Sequence, residues 1–173
     1  APMALNDIAV LLYEQLTSAQ ITDYMNAVDH FQPTITMSGA NRTWECTVIA
    51  IRGIIVKSSA KLSSARDGLS QVFHYATSGD GFYKDGSFIQ HNRHPYTGGY
   101  GTGLMLDSAN LIYLLHDSSW EVTDTDVNNV YQWVYEAFEP LVYKGAMMDL
   151  SRGREISRYY IQDHDRGHRV ISG

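Results

Sequence analysis

The sequence predicts an all-α chain. Leu, Ile and Val recur at intervals of three and four residues through several long segments, the connections between those segments are short, and no run of more than a few residues alternates apolar and polar with the period of a strand. At 173 residues the chain is long enough for one domain with a substantial core, and 44% apolar with 18% charged residues is an ordinary composition for a folded domain. A formal charge of −6, with no block of Lys or Arg to neutralise phosphates, argues against a nucleic-acid binder or a basic membrane-surface protein. No apolar run reaches transmembrane length. A few local arginines would still suffice to hold an acidic polysaccharide.

Met3 to Leu16 reads as the first helix, with Leu5, Ile8, Leu12 and Leu16 on one stripe. Thr17-Ser-Ala-Gln20 is a capping box for a second helix that runs to about His30 and stops before Pro33. Two helices joined this closely lie antiparallel, so the chain opens with a helical hairpin. Pro33 to Ser38 is extended. Ala40 to Lys57 is apolar on more than one face, with Trp44, Val48, Ile51 and Ile55 at helical spacing, and is expected to be an inner helix. Ser58 or Ser59 caps a fourth helix from Ala60 to about Ala76, closed by the turn Ser78-Gly-Asp-Gly81. Leu104 to His116 and Val127 to about Phe138 are the remaining helices, the last of them started by Thr123 and Asp124.

Between the fourth and fifth helices lies Asp85-Gly-Ser-Phe-Ile-Gln-His91-Asn-Arg-His-Pro-Tyr-Thr-Gly98-Gly99-Tyr100-Gly101, a loop that mixes histidines and tyrosines with glycine. Glycine is needed where the backbone takes positive φ or lies close to a ligand, so Gly98, Gly99 and Gly101 around Tyr100 suggest a phenol presented on a tight turn. His91 and Tyr100 are the titratable candidates. Arg152, Arg154 and Arg158 form the one basic cluster, and paired guanidinium bonds suit carboxylate recognition. Asn41 opens the inner helix; it also fits a helix cap, and Asn41-Arg-Thr43 matches a glycosylation sequon. Cys46, the one cysteine, lies in an apolar helical run and reads as a buried structural thiol. Trp44, Trp120 and Trp133 sit in or beside apolar stripes and are expected in the core. His91 with His94 and His164 with His168 lack the partner ligands of a zinc site.

Four motifs, Ser38-Gly-Ala-Asn41-Arg, Asp85 to His91, Tyr96-Thr-Gly-Gly-Tyr-Gly101 and Ser151-Arg-Gly-Arg154-Glu-Ile-Ser-Arg158, together resemble the catalytic helical domain of the polysaccharide lyases that act on hyaluronan, chondroitin and xanthan. The resemblance runs over nearly the whole chain. It implies an incomplete α/α toroid of helical hairpins, with residues 1–173 part of that toroid and β-sandwich domains elsewhere in the parent enzyme. It further implies an extracellular bacterial enzyme that needs no cofactor. The start at Ala-Pro-Met is the start expected of a processed or partial chain.

The chemistry implied by the resemblance is β-elimination at a 4-linked uronic acid. The C5 proton is not acidic while the neighbouring carboxylate keeps its charge, and a side-chain amide from Asn41 would neutralise it. Tyr100 would take that proton and return it to the leaving oxygen. With an ordinary value near 10, only about one phenol in a thousand is ionised at neutral pH, so a cation is wanted beside it; Arg154 is that cation by resemblance, and His91 orients the carboxylate or shares the proton work. Met147 to Arg158 and Ser87 to His91 are most similar to the xanthan-acting members, in which the positions of Arg158 and Tyr160 bind the terminal pyruvylated sugar. Hyaluronan or chondroitin is the alternative substrate, and a helical carbohydrate-binding domain without chemistry is the alternative class.

Overall fold

In the computed structural model, which describes residues 1–172, helices dominate and are joined as successive hairpins. Helix α1 (Pro2–Leu11) begins with proline in its first turn, where the missing amide costs nothing. It is shorter than its apolar spacing suggests, because residues 12–15 leave the helix as turns before Thr17. Helix α2 (Ser18–Phe31) starts with the reciprocal capping box of Thr17 and Gln20. These two pack on α3 (Gly39–Ile55) around Ala9, Met25, Val28, Val48 and Ile55. Buried Asn6 donates to the Val48 carbonyl at 2.9 Å, and Arg52 donates to the Met25 carbonyl at 2.8 Å while pairing with Asp29 at 2.7 Å.

The expectation that α3 is an inner helix holds. Its opposite face enters a second and larger core with α4 (Ser59–Phe73, capped by Ser58) and α5 (Thr102–Leu115), so α3 divides the two cores. Cys46 lies fully buried there, and burial pushes its thiol up to about 12, which makes it an inert packing group at neutral pH. Trp133 is likewise buried and stacks on Phe82 at 4.2 Å between ring centres.

The segment between α4 and α5 is more ordered than a plain loop. It forms a small antiparallel sheet of β1 (Gly81–Phe82), β2 (Phe88–Gln90) and β3 (His94–Pro95), in that order. One wide helical turn, Thr97–Gly101, follows and runs directly into α5, with the Gly101 amide donating to the Tyr96 carbonyl at 3.0 Å. Such π-type turns are rare and cluster at functional sites. The predicted helix over 127–138 is continuous but changes its winding, from a 3₁₀ turn (Thr125–Asn128) through α6 (Asn129–Trp133) to a second π turn (Val134–Phe138). A two-residue hairpin, β4 (Val142–Tyr143) with β5 (Ala146–Met147), and two 3₁₀ turns (Asp149–Ser151 and Gly153–Ser157) lead to α7 (Asp163–Ser172), a helix that the sequence pattern did not reveal. The strands are two or three residues long, which is why no alternation is visible in the sequence.

Candidate active site

The start of α3, the π turn and the Arg-rich 3₁₀ turn converge on one open cleft of about 320 Å³. Asn41, Tyr100, Arg154 and Arg158 all line it. Asn41 is the third residue of α3, and the cap is Ser38, so the reading of Asn41 as a cap is replaced. Its amide is left free to face the cleft: among the described residues it makes no hydrogen bond.

Tyr100 and Arg154 are 54 residues apart in sequence, and Arg154 donates from Nη2 to the Tyr100 hydroxyl oxygen at 3.0 Å. The guanidinium therefore stands where negative charge would develop when the phenol loses its proton. Tyr96 touches the Tyr100 side chain and the Arg154 backbone. Its ring lies edge to face against Tyr100 at 4.9 Å, and its hydroxyl oxygen accepts from the Arg154 backbone amide at 3.1 Å.

The glycines explain how this fits together, and they correct one expectation. Gly98, Gly99 and Gly101 do not have positive φ; at Gly98 and Gly99 glycine is needed because neighbouring side chains approach closely. A Cβ on Gly99 would lie 2.6 Å from the Tyr96 ring, and one on Gly153, whose φ is +55°, would lie 2.5 Å from the other part of the same ring. The Tyr96 ring is thus clamped between the two glycine motifs. Gly98 gives room to Met147 and Arg152 in the same way.

His91 lies outside the cleft lining but reaches the site through Tyr100, its ring edge to face at 5.0 Å. It occupies the β2–β3 turn with φ +55°, followed by Asn92 at +68°, a conformation uncommon for residues other than glycine. Arg158 lines the cleft with Nη1 4.0 Å from the Glu155 carboxylate, and Tyr160 is exposed, edge to face with Tyr159, outside the cleft lining. Tyr160 therefore does not pack in the core, and the structure does not bring it together with the other site residues. Arg152, the third member of the basic cluster, is buried and structural: it donates to the Ile161 carbonyl at 2.6 Å and pairs with Asp149.

Several cleft residues are not assigned to a site by the sequence reading. Trp44 is only partly buried; it packs against the α1–α2–α3 core and also lines the cleft, rather than lying wholly in the core. Arg166 and Arg169 enter from α7, and Arg166 pairs with Glu155 at 2.7 Å. Asp107 of α5 lies at the same cleft, its carboxyl raised above the ordinary aspartate value by burial. Four arginines against two carboxylates make this a cationic cleft on an acidic chain, an arrangement that draws anionic polymers. Spacing on α7 at i, i+3 could have flagged Arg166 and Arg169 had the helix itself been legible. Among the described residues, the His and carboxylate groupings close enough to share an ion, His74–Asp124–Asp126 and His116–Asp117–Glu121, include no residue of the cleft lining.

The chain belongs to polysaccharide lyase family 8: the model of that family's N terminal alpha-helical domain matches residues 1–173. It is 55% identical to a xanthan lyase of Bacillus sp. (strain GL1), over 99% of this chain and 19% of that protein. A hyaluronate lyase of Thermasporomyces composti is 46% identical over 96% of this chain and 22% of its own length. Among solved structures, the chondroitin AC lyase of Streptomyces coelicolor A3 in complex with chondroitin sulphate superposes with a TM-score of 0.95 at 40% identity, over 99% of this chain and 25% of that one. A Paenibacillus xanthan lyase gives a TM-score of 0.93 at 52% identity, over 99% of this chain and 16% of that one. The chain thus spans about a fifth of the length of the curated relatives it matches.

Proposed function

We propose that this chain is the active-site-bearing helical part of a secreted bacterial polysaccharide lyase, joined to further domains in the whole enzyme, that cleaves the mannosyl–glucuronate linkage of xanthan side chains by β-elimination. The observation that carries the reading is the Arg154 to Tyr100 hydrogen bond at 3.0 Å beside the free amide of Asn41. Asn41 donates to the glucuronate carboxylate and stabilises the charge that builds on it once C5 begins to lose its proton. The Tyr100 oxygen, held by Arg154, takes the C5 proton. The bond from C4 to the glycosidic oxygen then breaks, the C4–C5 double bond forms, and Tyr100 hands the same proton to the departing oxygen, which returns the side chain to the form in which it began. His91, against the Tyr100 ring, orients the carboxylate or shares the proton. Every step uses side chains of this chain, and no cofactor is invoked.

The preference for xanthan rests on the higher identity to the xanthan lyase than to the hyaluronate lyase. Arg158 at the cleft supplies a guanidinium for the pyruvate carboxylate of a terminal mannose, and the exposed Tyr160, two residues further along the chain, is the hydroxyl assigned beside it. The test is to incubate the full-length enzyme with xanthan, hyaluronan and chondroitin and follow the ultraviolet absorbance of the new double bond. Absorbance on xanthan alone is expected. Activity on hyaluronan or chondroitin alone would move the substrate, and none on any uronic-acid polymer would leave a carbohydrate-binding domain.

A further inference from the structure

Behind the cleft, one hydrogen-bonded unit joins the helix that carries Asn41 to the turn that carries His91. Gln90, almost fully buried at 1% exposure, accepts through Oε1 from the Ala40 amide at 3.1 Å. It thereby takes the place of a side-chain cap at the start of α3, since Ser38, in the cap position, points its hydroxyl elsewhere. The amide end of Gln90 donates to Asp80 Oδ2 at 2.6 Å, and the Ser38 hydroxyl donates to the same oxygen at 2.8 Å. The other oxygen, Oδ1, accepts from the Asn92 backbone amide at 2.7 Å. Gly39, at φ +55°, leaves the space that Gln90 fills, because a Cβ there would lie 2.5 Å from Gln90 Oε1.

We propose that Asp80 and Gln90 are positioning residues that set Asn41 and His91 at a fixed separation about the site of Tyr100. Each candidate catalytic residue is the immediate neighbour of a bonded group: Asn41 follows Ala40, and His91 lies between Gln90 and Asn92. The turn needs such an anchor. His91 and Asn92 both hold positive φ, a conformation uncommon for residues other than glycine that persists where surrounding bonds hold it in place. The inference rests on the lyase reading, and its consequence is that the unit governs turnover more than substrate binding.

The bonding pattern supplies a test by exchange of groups. In Gln90→Glu a carboxylate faces the Asp80 carboxylate, and in Asp80→Asn an amide faces the Gln90 amide or the Asn92 N–H. In the double variant Asp80→Asn/Gln90→Glu the polarity is reversed and complementary again, with Ser38 able to accept where it had donated. All three are isosteric. In the full-length enzyme acting on xanthan, each single variant should lose about 10–100-fold in kcat with KM changed by less than about threefold, the scale expected when a reacting group is misplaced by a fraction of an ångström to an ångström. The double variant should recover most of the loss. Hydrogen exchange by mass spectrometry should show peptides over 38–42 and 90–94 both exchanging faster in Gln90→Glu, and both protected again in the double variant. Should Gln90→Glu not fold, Asp80→Asn carries the same expectation. Wild-type kcat in a folded single variant, or a folded double variant no better than the singles, would overturn the positioning role. If the wild-type enzyme eliminates on no uronic-acid polymer, the lyase reading is what has failed. Exchange at the two peptides then decides the link, and unchanged exchange at either would overturn it.

Discussion

Tyr100 is half-buried at the cleft, and its hydroxyl oxygen accepts from the Arg154 guanidinium. Tyr100→Phe keeps the ring that packs on Tyr96 and His91 and removes only that oxygen. On the proposed role of the phenol as base and then acid, the expected result is a loss of kcat toward the upper end of about 10²–10⁴, with KM nearly unchanged in initial-rate assays. Asn41→Ala should lower kcat by about 10²–10³ and KM far less, since the amide is worth most when charge has developed on the carboxylate; a change in KM alone would make it a plain binding residue. Arg158 sits 4.0 Å from Glu155, a loose pairing that leaves its guanidinium available. Arg158→Ala should therefore reduce kcat/KM on pyruvylated xanthan much more than on pyruvate-free xanthan, compared side by side, and equal losses would remove the pyruvate role.

At the scale of elements, the site is made by two glycine-containing turns closing on one ring. Neither the π turn nor the Arg-rich 3₁₀ turn could approach Tyr96 with a side chain at Gly99 or Gly153. Gly153→Ala combines the collision with a positive φ that alanine resists, and overpacking of this kind costs about 1–3 kcal/mol. It should lower the unfolding temperature and also depress kcat, because the displaced Tyr96 hydroxyl oxygen is the acceptor for the Arg154 amide. A variant with wild-type melting and turnover would show that the ring tolerates movement. Helix α3 has the complementary role: its buried Glu45 carboxylate accepts from the Thr36 and Met37 amides at 2.8 and 2.9 Å and from Gln32 at 2.8 Å, which fixes the extended entry to the Asn41 turn.

Across the whole molecule, α7 closes one side of the cleft over α5, and the charges it brings act on Asp107. Burial raises that carboxyl above the ordinary value of 3.8, while the Arg169 charge and a Thr43 hydrogen bond pull it down. A carboxyl raised on folding contributes stability that is whole below its unfolded value and is lost as pH climbs through the raised folded value. Above that window the buried charge is a burden. Asp107→Asn should accordingly raise the unfolding temperature at pH 7, with the difference from the parent shrinking as the pH is taken down toward 4. A constant difference across that range would mean that packing, and not ionisation, separates the two proteins.

Helical periodicity, the Thr17–Gln20 capping box, the buried face of α3 and the grouping of Asn41, Tyr100 and Arg154 by motif were all legible in the sequence. The first three depend on neighbours within about four residues along the chain, where side chains one helical turn apart must meet. The motifs were legible by resemblance to the lyase family. The tertiary structure alone decided that Arg154 donates to Tyr100 across 54 positions, that Gln90 caps α3 from 50 positions away, and that Asp80 ties Ser38 to Asn92. It alone decided that Gly99 and Gly153 share one ring, and that α7 brings Arg166 to Glu155. A buried polar group must find a partner, but its residue type says only that one is needed; which donor stands within 3 Å is settled by how the elements pack.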